Sequence, residues 1–464
     1  MRILDNTSKK RKVKTIHTTK RIVISFFLLV LIGSILLTLS QCNNESTSYI
    51  NHLFIATSAV CVTGLVPVTP AIQYTRLGQI IIIVLIQIGG LGFLTFYSMM
   101  ISWFSKKLSY ENRMLMTEAL NQNSMEDIKK YIRRVVKYTF FFELIGAICL
   151  SIQFIPEFGL KEGIYYSVFH AISAFCNAGF DVLGASSLCH YDTNVLVNLT
   201  ISGLIIAGGL GFFVWTEIRN SLIRYKKEYK VFSLKVYIRS YSLHTKIAVM
   251  MTILLLFLGT VSTFVLEYNH VLINYNLFDK LLVSFFTSTT LRTAGFATIN
   301  FGATTRASKL IMCIFMLIGG SPTGTAGGIK TVTFAVTILY LLRLFKGKNE
   351  VVVFKKKIDK ETVEKSLTIF IVGLILCFIG VLVLSISEPN IAIVDIIFEV
   401  FSAFGTVGLS CGVTPCLSIV GKLMIIVLMF FGRVGPLTIF MMLTQSNHMK
   451  GNDVSYPNGN IIIG

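Results

Sequence analysis

Long apolar runs separated by short basic segments dominate the chain. A spanning helix needs about 20 mostly apolar residues, and eight runs qualify in four pairs: 22–40 with 77–103, 135–155 with 194–215, 247–266 with 308–342, and 367–387 with 419–443. A shorter apolar run lies inside each pair, at 49–60, 164–175, 277–291 and 393–404. At about 1.5 Å per residue these short runs cannot cross a bilayer, so the pattern predicts four re-entrant helices. Non-helical backbone at membrane depth persists only inside protein or beside a watery cavity, which indicates a pore or a binding site.

Four similar motifs end these short runs. Each motif has a hydroxyl residue six positions before a glycine and a bulky apolar residue after it, and the glycines are Gly64, Gly179, Gly295 and Gly408. Their spacings of 115, 116 and 113 residues are typical of an internal repeat. The predicted fold is an all-α membrane protein of four tandem span–re-entrant pore helix–span repeats, with eight transmembrane helices around a central pore. The predicted divisions are a basic tail (1–21), repeats at 22–104, 134–217, 245–343 and 366–444, and a second tail (445–464).

The motifs have the chemistry of a cation filter. Helix C-termini carry partial negative charge, which favours a cation at the point where four of them meet. A following glycine allows positive φ, so that backbone carbonyls can replace the hydration shell of an ion. The predicted filter takes four residues from each repeat: Cys61, Val62, Thr63, Gly64; Cys176, Asn177, Ala178, Gly179; Arg292, Thr293, Ala294, Gly295; Gly405, Thr406, Val407, Gly408. Helix packing is the alternative role for any single glycine.

The second span of the third repeat contains a break. Five glycines and one proline fall within ten residues of an apolar run: Gly319, Gly320, Ser321, Pro322, Thr323, Gly324, Thr325, Ala326, Gly327 and Gly328. Helix propensity is poor there and proline removes a backbone donor. The broken segment is expected below the filter, as a gate or as a passive kink.

Charged and polar residues in the apolar runs allow several interpretations. Arg433 lies in the middle of the last span, where a charge is costly, and it is either an electrostatic barrier below the filter or a structural ion pair with Glu399 or Glu143. Three acidic residues of the short helices either attract cations or cap and pack those helices: Asp279, Asp395 and Glu399. His52 and His170 are predicted to be core histidines rather than ion ligands.

Composition and charge narrow the class of protein. The chain has 464 residues, of which 53% are hydrophobic and 14% charged, against about 25% charged in soluble domains. With a mean hydropathy of +0.72, this composition excludes a soluble enzyme. The net charge of +19 comes from Lys and Arg between the apolar runs, so no nucleic-acid partner is indicated. Four segments carry eight Lys and Arg each, namely 1–21, 104–137, 217–246 and 343–366, and the positive-inside rule predicts that they and both termini are cytoplasmic.

Two enzyme-like patterns lack the context that their chemistry needs. Residues 408–412 match G-x-S-x-G without a strand or triad partners, and 324–331 only faintly resembles a phosphate loop. The nine cysteines show no metal-ligand spacing. The first span also resembles a secretory signal, although no small-residue cleavage site follows it. An alternating-access transporter is a further alternative, but four equivalent loops on one side of the membrane favour a pore.

The repeat motifs, together with Gly319 to Thr331 and Phe431 to Pro436, resemble the Trk/Ktr/HKT superfamily of potassium transporters over essentially the whole chain. Within it, the chain is most similar to the membrane subunits of bacterial Ktr systems. The resemblance implies K⁺ uptake across a bacterial cell membrane, Na⁺ as activator, and no covalently bound cofactor. It also implies a homodimer on a cytosolic ring of nucleotide-binding, KtrA-like regulatory subunits, with a gate formed by residues 319–328 and Arg433. The alternative is that the chain is a member of this superfamily that conducts sodium. In plant relatives, sodium conduction is associated with serine at the position of the first filter glycine, where this chain has Gly64.

Overall fold

The computed structural model describes residues 20, 23–92, 127–184, 186–228, 237, 240–436 and 438–439, without the side chains of 127–130 and 225–228. The predicted tail 445–464 lies outside these residues, and so does the predicted tail 1–21 except for Lys20. Each predicted repeat begins with an outer helix, continues with a short helix and ends with an inner helix. The fold is built from four such units.

The helices follow one another in the same order in each unit. Unit 1 consists of α1 (Val23–Leu37), α2 (Tyr49–Cys61) and α3 (Arg76–Leu91). Unit 2 consists of α4 (Asp127–Phe158), α5 (Leu160–Cys176), α6 (Val195–Leu210) and α7 (Phe212–Glu228). Unit 3 consists of α8 (Leu243–Glu267), α9 (Leu277–Thr290), α10 (Arg306–Leu317) and α11 (Thr331–Phe345), and unit 4 of α12 (Lys360–Ser387), α13 (Ile393–Gly405) and α14 (Ile419–Val434).

Minor elements join these helices. One helical turn, Pro70–Gln73, precedes α3. Single 3₁₀ turns lie at Ser40–Cys42, Cys189–Tyr191, Phe301–Ala303 and Thr414–Cys416. Between units 3 and 4, β1 (Val352–Val353) and β2 (Lys356–Lys357) pair antiparallel, with Val352 opposite Lys357. The predicted short helices agree with α2, α5, α9 and α13 to within a few residues.

All four inner helices begin with the same local chemistry. A polar residue precedes the helix, and its side-chain oxygen accepts a hydrogen bond from the backbone N–H three residues later; these residues are Thr75, Asn194, Thr305 and Ser418. Such a cap satisfies one of the free N–H groups at a helix N-terminus. The four units therefore share local structure that the glycine spacing alone did not reveal.

The helix pairings close a ring. The inner helix of each unit packs against the short helix of the next: α3 on α5, α6 on α9, α10 on α13, and α14 on α2. The short helices are buried at the centre, where Phe54 and Phe398 are fully enclosed. Apolar side chains such as Phe257 and Phe378 stay more than half exposed on the outer helices, as expected for a surface in contact with lipid.

The inner helices differ from the continuous spans that the sequence predicts. Among the described residues, only α4, α8 and α12 are single helices long and apolar enough to cross a membrane, and α6 with α7 adds one span bent by 89°. The predicted spans 77–103, 194–215, 308–342 and 419–443 are each interrupted. The first, second and fourth of these spans break at glycines with positive φ, namely Gly92, Gly211 and Gly435. The third is interrupted by the segment between α10 and α11. The first predicted span is also short, because α1 ends at Leu37.

Candidate functional site

The four repeat glycines form a closed ring. Each faces the carbonyl oxygen of the residue that precedes the next glycine in the ring: Gly64 faces Ala178, Gly179 faces Ala294, Gly295 faces Val407, and Gly408 faces Thr63. A Cβ on Gly64 or Gly179 would lie 2.5 Å from that oxygen, and one on Gly295 would lie 2.6 Å away. No ordinary side chain fits at so short a distance, so the ring requires glycine for close approach as well as for conformation.

The backbone of the ring has two positive φ angles per unit. The glycines have φ of +94°, +68°, +84° and +94° in chain order, and the residue two positions earlier is also left-handed: Val62, Asn177, Thr293 and Thr406, with φ of 53° to 68°. The residue between them is not left-handed. Alternating the sign of φ turns every second peptide over, which lets successive carbonyls face the same side, as a ring of ion-binding carbonyls requires. Left-handed non-glycine residues cost about 1–3 kcal/mol each, and β-branched ones such as Val62 are uncommon.

The ends of the short helices hold this strained backbone. In unit 1, the Val62 N–H donates to Ala59 O (3.1 Å) and the Thr63 N–H donates to Ser58 O (2.8 Å). This pair of bonds is the Schellman arrangement, in which glycine usually takes the left-handed position. Units 2 and 4 repeat it with Asn177 and Thr406. The bonds that end the short helices therefore also set the backbone conformation of the ring in these units.

The hydroxyl residues of the repeat motif fasten the ring to the short helices. Ser58 Oγ accepts from the Gly64 N–H (3.0 Å) and Ser402 Oγ accepts from the Gly408 N–H (3.2 Å). Ser173 Oγ donates to Phe180 O (2.7 Å). In unit 3 the aligned Thr289 instead bonds within its own helix, and Thr290 donates to Phe296 O (2.7 Å). In unit 3 the hydroxyl that fastens the ring therefore belongs to Thr290, one residue after the Thr289 that matches the repeat motif.

Four of the predicted filter residues have polar side chains whose contacts differ. Arg292 leaves the ring, because its Nη2 donates to Thr252 Oγ1 on α8 (3.2 Å), so only its backbone can belong to a filter. Three buried hydroxyls have no hydrogen-bond partner among the described residues, those of Thr63, Thr293 and Thr406. Buried polar atoms are normally paired, and these oxygens are therefore available to a cation or to water.

The segment between α10 and α11 is a loop with a closed neck. Ile318 and Ile329 pair as a parallel bridge. The Gly319 N–H donates to Ile329 O (2.8 Å) and the Thr331 N–H donates to Gly320 O (3.0 Å). Residues 321–328 project from this neck, and we call them the loop tip.

The loop tip lies directly against the ring and the end of α6. The Ser321 N–H donates to Gly209 O (2.8 Å) and the Thr325 N–H donates to Gly208 O (3.2 Å). Thr325 Oγ1 also lies 3.2 Å from the side-chain amide of Asn177 and donates to Phe175 O (3.1 Å). On the other side, Gly327 packs on the Thr406 side chain. The tip therefore contacts left-handed residues of the predicted filter in two other units.

Arg433 ties the loop tip to unit 1. At the C-terminal end of α14, its guanidinium donates to Thr325 O, Gly89 O and Gly90 O. Gly89 and Gly90 belong to the last turn of α3, whose free carbonyls carry the negative end of the helix dipole. Backbone oxygens from two units thus solvate the charge.

The predicted ion pair of Arg433 with Glu399 or Glu143 is wrong. Glu399 accepts from Ser410 Oγ (2.7 Å) and from Thr414, and Glu143 accepts from Gln87 Nε2 (2.9 Å). Both carboxylates are already used for packing, and the α3 carbonyls replace them as partners of the guanidinium.

Comparisons with known proteins agree with this architecture. The sequence profile of the TrkH family, described as cation transport proteins, matches residues 3–450. The potassium/sodium uptake protein NtpJ of Enterococcus hirae is 41% identical over 98% of this chain and 99% of its own length. The Ktr system potassium uptake protein B of Bacillus subtilis is 37% identical, with the same coverage.

The chain belongs to the TrkH family of cation transport proteins. It is accordingly a multi-pass membrane transport protein and not an enzyme, as the sequence predicted. The potassium transporter TrkH of Vibrio parahaemolyticus has the same fold, with a TM-score of 0.72 at 17% identity over 92% of this chain and 84% of that one.

Most of the remaining polar candidates serve packing in this member of the family. Asp395 pairs with Lys309 Nζ (2.7 Å), whereas the contact of Asp279 involves only its backbone N–H, which donates to the capping Asn276 Oδ1 (2.8 Å). The role of the Asp279 carboxylate stays a prediction. His52 Nδ1 lies 2.9 Å from Tyr74 Oη and His170 Nδ1 lies 2.7 Å from Tyr166 O. Both histidines are core residues, as predicted.

Sequence reasoning missed two features of the site. The left-handed residues before the ring gave no signal, since Val and Thr are unexpected at that conformation. The role of three glycines near the C-terminal ends of inner helices was also missed. Each lies against a carbonyl at the end of a short helix: Gly89 on Val60, Gly208 on Phe175, and Gly432 on Phe404. They permit the inner helices to approach the ring closely.

Proposed function

We propose that this chain is the ion-conducting subunit of a bacterial potassium uptake system. The closed ring of Gly64, Gly179, Gly295 and Gly408 at the C-termini of four short helices carries the proposal. Four negative helix ends favour a cation, and ring carbonyls can replace its water. The names of the two relatives above, which include potassium uptake, support K⁺ as the transported ion.

The predicted filter acts in this proposal through its backbone. Residues 61–64, 176–179, 292–295 and 405–408 supply carbonyls, and the unpaired hydroxyl of Thr406 lies beside Gly327 of the loop tip. The closed cyclic order of the four units supports a pore over an alternating-access transporter, because one pathway is shared equally by all four.

The loop tip and Arg433 form the gate in this proposal. The tip occupies the space beneath the ring and is held by hydrogen bonds rather than by apolar packing. Its neck is fixed by three backbone contacts, so the tip can move while α10 and α11 stay in place. K⁺ leaving the filter would meet the guanidinium of Arg433 unless the tip and the arginine shift.

Regulation and assembly follow the relatives. Because the Bacillus subtilis relative is named as a Ktr system protein, we propose a cytosolic, nucleotide-binding, KtrA-like regulatory ring as partner of a homodimer of this chain. The apolar end at 461–463 lies outside the described residues and is proposed to pack at the dimer interface. Deleting 456–464 should then lower the mass of the detergent-solubilised particle in light scattering. An unchanged mass would contradict that role.

A sodium role is the second candidate function. The relative with 41% identity is named a potassium/sodium uptake protein, which supports Na⁺ as activator or as second transported ion. Glycine at all four ring positions instead favours K⁺ in the filter itself. Measuring uptake of each ion separately distinguishes these roles.

Growth rescue tests the proposed function. A bacterium without K⁺ uptake systems would express this chain with and without a regulatory subunit, at low K⁺ and varied Na⁺. We expect growth at low K⁺, stronger with the partner and with Na⁺. Failure to grow, with the protein present in the membrane and no K⁺ flux in liposomes, would refute the proposal.

A further inference from the structure

A strongly basic cavity lies between α4 and α7, away from the glycine ring. It has a volume of about 320 Å³ and is lined by Arg133, Arg134, Lys137, Tyr138 and Arg219. We call it the basic groove. Four cations converge there, three from two adjacent turns of α4 and one from α7.

The cations of the groove have no anionic partner in the described part of the chain. None of the four takes part in a salt bridge there. The carboxylate that lines the adjoining cavity, Glu217, already accepts bonds from Ser242 and Thr245. Four like charges around one cavity repel one another, so the groove is built for an anion.

A polar atom in the wall of the groove is also unpaired. Tyr138 Oη is buried and has no hydrogen-bond partner among the described residues. Buried hydroxyls are rarely left unsatisfied. This observation is independent of the charges and indicates a missing acceptor, which an anionic oxygen would supply.

The position of the groove along α4 identifies the source of the anion. Arg133 and Lys137 continue at helical spacing into an exposed apolar stripe on the same face: Phe141, Leu144, Ile148 and Ile152, each between 56% and 62% exposed. From Tyr138 to the end of α4 at Phe158 the helix is about 30 Å long, the thickness of the hydrocarbon core. The groove therefore lies at the edge of the bilayer, and the stripe faces lipid tails.

We propose that the basic groove binds the phosphate headgroup of an anionic phospholipid whose acyl chains lie along the stripe of α4. Basic pockets between membrane helices recognise such headgroups, and arginine matches phosphate oxygens with two parallel N–H donors. The Tyr138 hydroxyl donates to the same phosphate. Free phosphate shares the headgroup chemistry but makes no use of the stripe.

Lipid retention in nanodiscs tests the proposal. The full chain would be reconstituted in phosphatidylcholine with increasing phosphatidylglycerol, and bound lipid counted by native mass spectrometry. Arg133→Gln combined with Arg219→Gln should weaken phosphatidylglycerol binding about 30-fold, or about fivefold per cation removed. The matched control is Lys346→Gln with Lys348→Gln, two exposed cations outside the groove, and it should bind like the wild type.

Two further arms keep the test decisive. Tyr138→Phe removes a single hydroxyl and should weaken binding about tenfold, which gives a result even if the double variant does not fold. Inorganic phosphate should not displace the lipid. Equal retention in wild type and Tyr138→Phe together with unchanged binding in the double variant would overturn the site, and displacement by inorganic phosphate would overturn the lipid as its ligand.

Discussion

Replacing Arg433 by alanine is the most direct test of the proposed gate. The side chain joins three backbone oxygens in two other units, but only its bond to Thr325 O reaches the loop tip. The bonds to Gly89 and Gly90 anchor the guanidinium to α3. Removing the side chain thus frees the tip at one point and removes the positive charge from the pathway.

The structure sets the size of the effect. A hydrogen bond to a charged group contributes about 1.5–3 kcal/mol, and 1.4 kcal/mol is a factor of ten in an equilibrium constant. If one such bond is broken on opening, its loss should shift the ratio of closed to open tip by about 10- to 150-fold. We expect K⁺ flux to rise by up to that factor without the regulatory partner, and by less with it.

Flux of K⁺ and Na⁺ into liposomes measures the prediction. Arg433→Lys keeps the positive charge but loses the forked donor geometry. It should therefore raise flux less than Arg433→Ala does, which separates the effect of the lost hydrogen bonds from that of the lost charge. Arg76→Ala is the control, because Arg76 pairs with Glu162 on an exposed surface. Wild-type flux in Arg433→Ala, with and without partner, would show that the gate is elsewhere.

Three other predictions test the ring and the loop. Serine at any one ring glycine, such as Gly408→Ser, should lower the preference for K⁺ over Na⁺ in uptake assays, because the position has positive φ and faces a neighbouring carbonyl. Gly412→Ser is the control, since Gly412 has a φ of +87° but open space around it. Wild-type selectivity in all four ring variants would contradict the filter. Shortening the loop within 321–326 should raise K⁺ flux and leave selectivity unchanged, and flux at the wild-type level would argue for a passive kink. Ser402→Ala should destabilise the ring by about 1 kcal/mol and reduce selectivity, whereas Ser385→Ala, which loses a bond within α12, should not.

The amino-acid sequence by itself determined the repeat and its main chemistry. Apolar runs too short to span the bilayer predicted α2, α5, α9 and α13, because burial of those residues depends on local hydrophobicity. The regular spacing of Gly64, Gly179, Gly295 and Gly408 predicted their shared position in the fold. The glycines and Pro322 of the loop predicted a broken helix, since backbone propensity is a local property.

Tertiary structure alone decided how these parts meet. The order of contacts around the ring and the partners of Arg433 depend on segments that lie more than one hundred residues apart in the sequence. Local propensity opposes a left-handed valine, and the hydrogen bonds at the end of the buried helix α2 hold Val62 in that conformation. The inner helices broke where the sequence predicted continuous spans, because their glycine ends pack against short helices and their last carbonyls bind the loop tip and Arg433.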